Sequence, residues 1–396
     1  MLNDAVRYSR ITLLHGLPRV GRTEVVTNWG KERGDIEHTA VADLHLQGAA
    51  VRFLDHFRLE DVDGLVDWYR ANENDAALPR LVIAPIDLLT RRKLSDALTG
   101  SVRLIALNPM QLADFLEEHS LASGTSGPTT EIVAEPQTTI SPALDPHVHW
   151  LRGGLPESLY TENDEVSFAW RAQMIQGLLN RDYSSWGIAA NASLRDVLRW
   201  VANRNCGELD DADHPTMTKR DLRSALYVLR ELGIIRTLSN FPEGSDESFG
   251  ELPKIYVRDS GLLHAILGIE TLEQLRRHPK VGDCWESYAL EEMIVATEGY
   301  MSPQFYRKTV DGPGADEIDL VLDGQKLGGR IVAIECKTNP SDRPKLGFYR
   351  GCEAIGATDR FVVHAGVEPI LGGAVDKLDL TSALRRLRGL ALPAPN

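Results

Sequence analysis

The chain has little cysteine: four residues in 396 (Cys206, Cys284, Cys336 and Cys352), no two of them in a C-x-x-C pair. That spread argues against both a disulfide framework and a zinc site, and the expectation is free thiols in a reducing compartment. Also missing is any apolar run approaching the roughly eighteen residues that a membrane-spanning helix needs, and no charged-then-apolar leader opens the chain. A cytoplasmic protein with no membrane partner is expected. Positive charge is in deficit as well: 43 Lys and Arg against 57 Asp and Glu give a net charge of -14. This argues against a whole-molecule electrostatic grip on nucleic acid and leaves room for a local basic face.

What the chain does have is length enough for two or three domains. Residues 119–146, rich in Ser, Thr, Pro and Gly without apolar periodicity, read as a flexible linker. Before it, in residues 1–118, short apolar runs (Ile11 to Leu14, Val51 to Leu54, Leu81 to Ala84, Val102 to Leu107) alternate with amphipathic segments, the pattern of a parallel α/β sheet. In residues 147–262, Phe168 to Leu179 and Leu194 to Ala202 read as helices, and "KRDLRSALYVLRELGIIRTL" as a helix running into a strand after Gly233. That is the order of a winged helix-turn-helix. Residues 263–396 form an α-β-β-β-α-β string: a helix from about Asp283 to Thr297, strands at Gln304 to Lys308, Glu317 to Leu322 and Arg330 to Lys337, a helix near Lys345 to Ile355, and a strand at Arg360 to His364.

The stretch "ITLLHGLPRVGRTEVV" sets an apolar strand before Gly16, four residues, Gly21, and then Arg22 and Thr23. A strand, a glycine-rich turn and a helix cradle phosphate because loop amides and the helix N-terminus point N–H groups at the anion. Lysine then reaches the β- and γ-phosphates and a Ser or Thr hydroxyl holds Mg²⁺. Thr23 keeps the hydroxyl, whereas Arg22 replaces the compact ammonium by a bulkier planar fork. The strand in "AVRFLDHF" supplies Asp55 for the metal, but His56 stands where a second carboxylate would polarise the attacking water.

On these motifs the N-terminal third resembles the AAA-type ATPase module of a widespread prokaryotic family. In that family the module is followed by a helical region and a C-terminal nuclease-like domain. "LTGSVRLIALNPMQLADFL", "WLRGGLPESL", "FAWRAQMIQGLLNRD" and "ELPKIYVRDSGLLHAILGIETLEQLRRHPKVGDCWESYALEEM" are similar to further family segments, so the resemblance covers nearly the whole chain except the linker. It implies that Gly16, Gly21, Arg22, Thr23 and Asp55 would hold ATP or ADP. Relatives carry a polar sensor where this chain has Ala84-Pro85-Ile86, and an arginine where it has Ser101. With Arg22 and His56, four departures fall on positions used for hydrolysis, which favours a pseudo-ATPase over an active one. The change at Ser101 also weakens the argument for a nucleotide-bridged ring, leaving a homo-oligomer or another protein partner open.

In the middle region Lys219, Arg220, Arg223 and Arg230 recur on one helix, so a face could lie along phosphates. Glu208, Asp210, Asp211 and Asp213 immediately precede it and would weaken that field; a recognition helix and a solvated packing face both stand as readings. His147 and His149 read as a surface pair lacking a third ligand nearby. Trp285 and Tyr288 read as core. Arg385, Arg386 and Arg388 would touch a phosphate or cap a helix ending at Gly389.

The C-terminal strands carry the most suggestive chemistry. Residues two apart on a strand face the same side, so Glu335 and Lys337 project together while Cys336 points away, and Glu317 and Asp319 share a face on the neighbouring strand. Carboxylates converging from adjacent strands beside a lysine suit a hard divalent cation and a water for phosphodiester attack. A solvated edge strand is the alternative for so short a motif. The arrangement resembles the PD-(D/E)XK nucleases, which implies Asp319 and Glu335 as metal ligands, Lys337 as the catalytic lysine and Glu286 as an accessory acid; Tyr306 and Arg307 in "FYRK" fit the same pattern.

The fold expected is thus an α/β multidomain protein: a parallel-sheet P-loop domain, a helical and winged-helix middle, and a PD-(D/E)XK nuclease-like end. The leading functional expectation is Mg²⁺- or Mn²⁺-dependent cleavage of DNA or RNA. Two others stand beside it: a nucleotide-responsive switch with slow hydrolysis, and a non-catalytic DNA-binding regulator or scaffold in a defence or toxin-antitoxin setting.

Overall fold

The computed structural model describes residues 2–46, 48–75, 77–85, 88–116, 145–180, 193–210, 214–242, 252–309, 315–324 and 329–391. Nearly all of the expected linker lies outside them, as do Ile86, Asp211 and Asp213. The chain forms two compact units, Met1–Pro109 with Glu231–Gly233, and Met110–Arg230 with Ile234–Asn396.

In the first unit α1 (Leu2–Tyr8), β1 (Ile11–Gly16), α2 (Arg22–Arg33), β2 (Ile36–His38), β3 (Val51–Phe57), α3 (Asp61–Asn72), β4 (Arg80–Pro85), α4 (Leu88–Ala97) and β5 (Val102–Leu107) alternate. The strands form one sheet in the order β2-β3-β4-β1-β5, every pair parallel. This five-stranded parallel sheet is consistent with a P-loop ATPase fold. Strands covered by helices on both faces must be apolar on both, and the two-residue alternation divides their side chains. Ile11, Leu13, Leu54, Leu81 and Ile83 enter one core with Val62, Leu65 and Leu94 of α3 and α4. Leu14, Phe53, Val82 and Ala84 enter the other with Ala5, Val26 and Trp29 of α1 and α2. β3 breaks the alternation: its register shifts between Leu54 and Phe57, His56 takes φ 52°, and Phe57 rejoins the core of Leu54, as a bulge requires.

The second unit contains α5 (Pro146–Arg152), α6 (Pro156–Leu159), α7 (Asp164–Leu179), α8 (Leu194–Asn203), nearly all of α9 (Lys219–Glu231), the antiparallel pair β6 (Ile235–Leu238) and β7 (Lys254–Val257), α10 (Ser260–Leu267) and α11 (Leu272–Arg277). Asp145, Asn163, Ser193 and Asp259 cap α5, α7, α8 and α10 by accepting first-turn N–H groups. Buried Arg171 of α7 donates to the Leu151 and Gly261 carbonyls at 3.0 and 2.8 Å, tying three helices together. A Cβ on Gly261 would stand 2.1 Å from the Arg152 carbonyl oxygen, so α10 packs closely on α5.

The expected α-β-β-β-α-β string follows as α12 (Val281–Ala296), β8 (Ser302–Thr309), β9 (Ala315–Gly324), β10 (Arg330–Lys337), α13 (Leu346–Ala354) and β11 (Asp359–His364). β12 (Asp376–Asp379), which was not foreseen, and α14 (Leu380–Ala391), the helix expected near Arg385 to Arg388, complete it. The sheet order is β12-β11-β10-β9-β8, antiparallel from β8 to β10 and parallel from β10 to β12. α12 lies against β9 and β10, which carries Glu286 to the strands that hold Asp319 and Glu335. The last helix runs past Gly389, correcting the expected end there, and Arg386 binds Asp376 at 2.9 Å.

Candidate functional site

Gly16 ends β1, and at its φ of 151° a Cβ would stand 2.3 Å from the Leu107 carbonyl oxygen. Gly21, left-handed at φ 85°, precedes α2. Between them the Val20 N–H donates to the Leu17 carbonyl at 3.2 Å, with Pro18 second and Arg19 at φ 67° third, the pattern of a type II turn. Pro18 has no N–H and that of Val20 is turned onto Leu17, so neither residue offers an amide to an anion. Thr23 Oγ1 donates to Asp55 Oδ2 at 2.8 Å; Thr23 opens α2, which follows β1, and Asp55 sits on β3, with β4 between the two strands, so the sheet order is what brings the pair together. Arg22 Nη1 donates to the Pro85 carbonyl at 2.8 Å, which anchors the guanidinium to the end of β4, in the Ala84-Pro85-Ile86 segment read from the sequence as a lost polar sensor. His56 is exposed, its Nε2 3.7 Å from Asp55 Oδ2. Ser101 is elsewhere. Because Gly16 pairs with Leu107 and Ile11 with Val102, Ser101 precedes β5 at the opposite end of the sheet.

In the second unit Asp319 lies one step beyond the last paired residues of β9 and β10, Leu320 and Ile334, and therefore opposite Glu335. Its Oδ2 accepts the Cys336 N–H at 2.8 Å. Lys337 Nζ donates to Glu335 Oε1 at 2.5 Å, so the two project together as the alternation requires. Glu286, Glu317 and Asp319 line a polar cavity of about 610 Å³ with Lys254, Lys280, Asp283, Arg204 and Arg307. Lys280 holds Asp283 at 2.9 Å and Arg307 holds Glu208 at 2.7 Å. Tyr306 is core, in one cluster with Ile318, Val321 and Phe348.

Lys254, the first residue of β7, was not singled out from the sequence. It is buried, donates to Glu317 Oε1 at 2.6 Å, and lies 5.3 Å from the Phe305 ring centroid. The available signal was a lone lysine inside the apolar "PKIYV", since a buried charge must have a partner; which partner is a tertiary matter. Burial would lower its pKa, but Glu286, Asp319 and Glu317 outweigh that and hold it above the ordinary lysine range.

Three of the carboxylates are raised as well, which for an acid favours the uncharged form, whereas Lys254 outweighs burial at Glu317 and lowers it. Burial, then Asp319, pushes Glu335 up to about 7. Burial also raises Asp319 against the pull of Lys254, and raises Glu286 well above the carboxylate range with Asp319 adding to it. Glu286 Oε1 is buried without a hydrogen-bond partner among the described residues. Four carboxylates (Glu286, Glu317, Asp319, Glu335) against two ammonium groups (Lys254, Lys337) leave two negative charges unmatched. Bound protons relieve such an excess, and so does one divalent cation. The donor set and the orphaned oxygen fit a hard cation, although among the described residues no three His, Cys, Asp or Glu groups already stand in coordinating geometry.

The remaining residues are settled by packing. His149 is not on the surface: it is buried, with Nδ1 2.9 Å from Tyr288 Oη and Nε2 2.9 Å from the Met110 carbonyl, so its aromatic neighbours, rather than solvent, claim it. His147 bridges Asp145 and the Ala365 carbonyl at 2.7 and 2.9 Å. Trp285 and Tyr288 are buried, and all four cysteines are free. On α9, Arg220, Arg223, Tyr227 and Arg230 are exposed while Leu222, Ala225, Leu226, Val228 and Leu229 are buried. No helix among the described residues is long and apolar enough to cross a membrane.

Two stretches match family models, both described as domains of unknown function: DUF8612 over residues 145–273 and DUF4143 over residues 281–376. The uncharacterized proteins Rv2008c of Mycobacterium tuberculosis and Mb2031c of Mycobacterium bovis are each 32% identical to this chain over 193 residues, which is 48% of this chain and 42% of theirs. The match thus spans less than half the length of these relatives. Among solved structures, the Aeropyrum pernix Orc1 protein in complex with DNA aligns with 69% of this chain and 91% of its own at TM-score 0.25 and 14% identity. The Bacillus subtilis DNA clamp loader delta protein aligns with 75% and 93% at TM-score 0.26 and 11% identity. The superpositions are loose, and neither neighbour's role carries over to this chain.

Proposed function

We propose that the second unit is a divalent-metal-dependent nucleic-acid-cleaving module, with Asp319 and Glu335 as metal ligands, Glu286 as accessory acid and Lys337 as the lysine beside the reacting phosphate. The observation that carries this reading is the cluster of carboxylates from α12, β9 and β10 with two unmatched negative charges and an orphaned Glu286 oxygen. A bound Mg²⁺ or Mn²⁺ would supply an activated water and charge for the phosphate. Asp319 and Glu335 would fix its position, and the Lys337 ammonium, held by Glu335, would orient the water or offset phosphate charge. The test is cleavage of a panel of single- and double-stranded DNA and RNA with Mn²⁺ or Mg²⁺. Asp319→Ala and Glu335→Ala should each lower the rate by a factor on the order of a thousand or more. Absence of cleavage by the wild type over the whole panel rejects the enzymatic reading. Salt-sensitive binding that then survives both substitutions identifies a binding module instead.

A second reading concerns the first unit and rests on the Thr23–Asp55 hydrogen bond, the hydroxyl-carboxylate pair that a P-loop uses for Mg²⁺. ATP or ADP would bind at Gly16, Gly21, Thr23 and Asp55 with little hydrolysis, because Arg22 is anchored on Pro85 and His56 is no fixed carboxylate. Calorimetry with ATP and Mg²⁺ should show binding that Thr23→Ala weakens by about tenfold or more. No heat of binding at millimolar nucleotide rejects it.

A further inference from the structure

Lys254 stands apart from the other lysines of the cleft. Lys280 pairs locally with Asp283, and Lys337 pairs on its own strand with Glu335. Lys254 instead comes from the β6–β7 pair, 63 residues before its partner Glu317, and lines the same cavity as Glu286 and Asp319. Its environment is set from every side by acids and one ring: Glu317 at 2.6 Å, Phe305 beneath it, and the charges of Glu286 and Asp319. A lysine buried to 3% exposure is a fixed charge rather than a mobile surface group, because both its stem and its ammonium are packed.

Carboxylate clusters of this size can accept two divalent ions, which in two-metal sites stand roughly 3.5–4 Å apart. With Lys254 and Lys337 in place, the four acids retain charge for one. Resting on the metal-dependent reading above, we infer that Lys254 is a resident cation that takes the place of a second metal ion, so that the site binds a single divalent cation and Lys254 limits how tightly it does so. It acts through the acids as a positioning residue and need not touch the substrate. The β6–β7 pair is then part of the site and not only a neighbour of it.

The test is calorimetric titration of Mn²⁺ into the full chain near neutral pH, with circular dichroism as the check on folding. Wild type should take up one ion per chain. Lys254→Met, which keeps the stem and deletes the charge, should bind Mn²⁺ at least about tenfold more tightly or take up a second ion; Lys254→Arg should behave as wild type. If Lys254→Met is unfolded without metal, Mn²⁺ must restore its circular dichroism, since the added ion supplies the missing charge. Two ions in the wild type, unchanged or weaker binding by folded Lys254→Met, or an unfolded Lys254→Met that Mn²⁺ does not restore, each overturns the inference. Uptake that ignores Lys254 leaves the metal-dependent reading standing. No uptake by any variant removes both.

Discussion

At Gly16 and Gly21 the turn between β1 and α2 uses glycine for two different reasons, and alanine separates them. Gly16→Ala forces a Cβ to 2.3 Å from a backbone carbonyl of the neighbouring strand, whereas Gly21→Ala meets nothing within 4 Å and bears only its positive φ. The expected losses are about 3 kcal/mol or more for the first and roughly 1 kcal/mol for the second, read from urea unfolding of the two variants. Equal losses would mean that the strand β5 yields at Leu107. The sequence marks both glycines alike, because spacing records that a glycine is present and not which atom crowds it. Arg22 is similar: its charge is visible in the motif, but its bond to Pro85, 63 residues away, exists only because β4 pairs with β1.

At the scale of elements, the basic helix α9 still carries two readings, a recognition helix and a solvated packing face. Arg220, Arg223, Tyr227 and Arg230 fall at helical spacing on the exposed side, and the Arg230 guanidinium lies 5.7 Å from the Tyr227 ring centroid. From Arg220 to Arg230 the stripe spans eleven residues, about 15 Å of helix, enough to follow a phosphate backbone. On a chain of net charge -14, we propose it as the local basic face for a nucleic-acid duplex. Replacing Arg220, Arg223 and Arg230 together by alanine should flatten the slope of log affinity against log salt by roughly 0.9 for each phosphate that is no longer neutralised. Fluorescence anisotropy with a labelled duplex in EDTA measures this without any cleavage, and an unchanged slope would return α9 to the solvated-face reading. Elements themselves were largely legible. Apolar runs and alternation located four of the five parallel strands and the β8–β11 string, whereas the edge strands β2, three residues reading "IEH", and β12, four residues reading "DKLD", have no apolar run to announce them.

At the scale of the whole molecule, buried histidines link stability to pH. Burial lowers His149 to about 4 and His264 to about 3, against an ordinary value of about 6.5. As pH falls, the unfolded chain takes up these protons first, so the stability they contribute is complete above about pH 6.5 and is lost as pH falls through the folded values. Glu286, Asp319 and Glu335, which burial raises, titrate in the opposite sense, so the effect is read as a difference. His264→Asn, less stable than wild type at about pH 7.5, should lose less stability than wild type on going to about pH 5, by one to a few kcal/mol. Parallel stability profiles for the two proteins would show that His264 is not held neutral by burial.

Sequence by itself determined whatever the backbone's own periods control. Buried parallel strands had to be apolar, a glycine-rich turn had to link β1 to α2, and residues two apart had to bring Glu335 and Lys337 to one side. Tertiary structure alone decided the partners: Asp55 for Thr23, Pro85 for Arg22, Tyr288 for His149, and Lys254 for Glu317. The physical reason is that strand and helix periodicity is local and repeats every few residues. A buried charge or hydroxyl is satisfied by whatever packing places within hydrogen-bond distance, and in these cases that group lies tens of residues or more away along the chain.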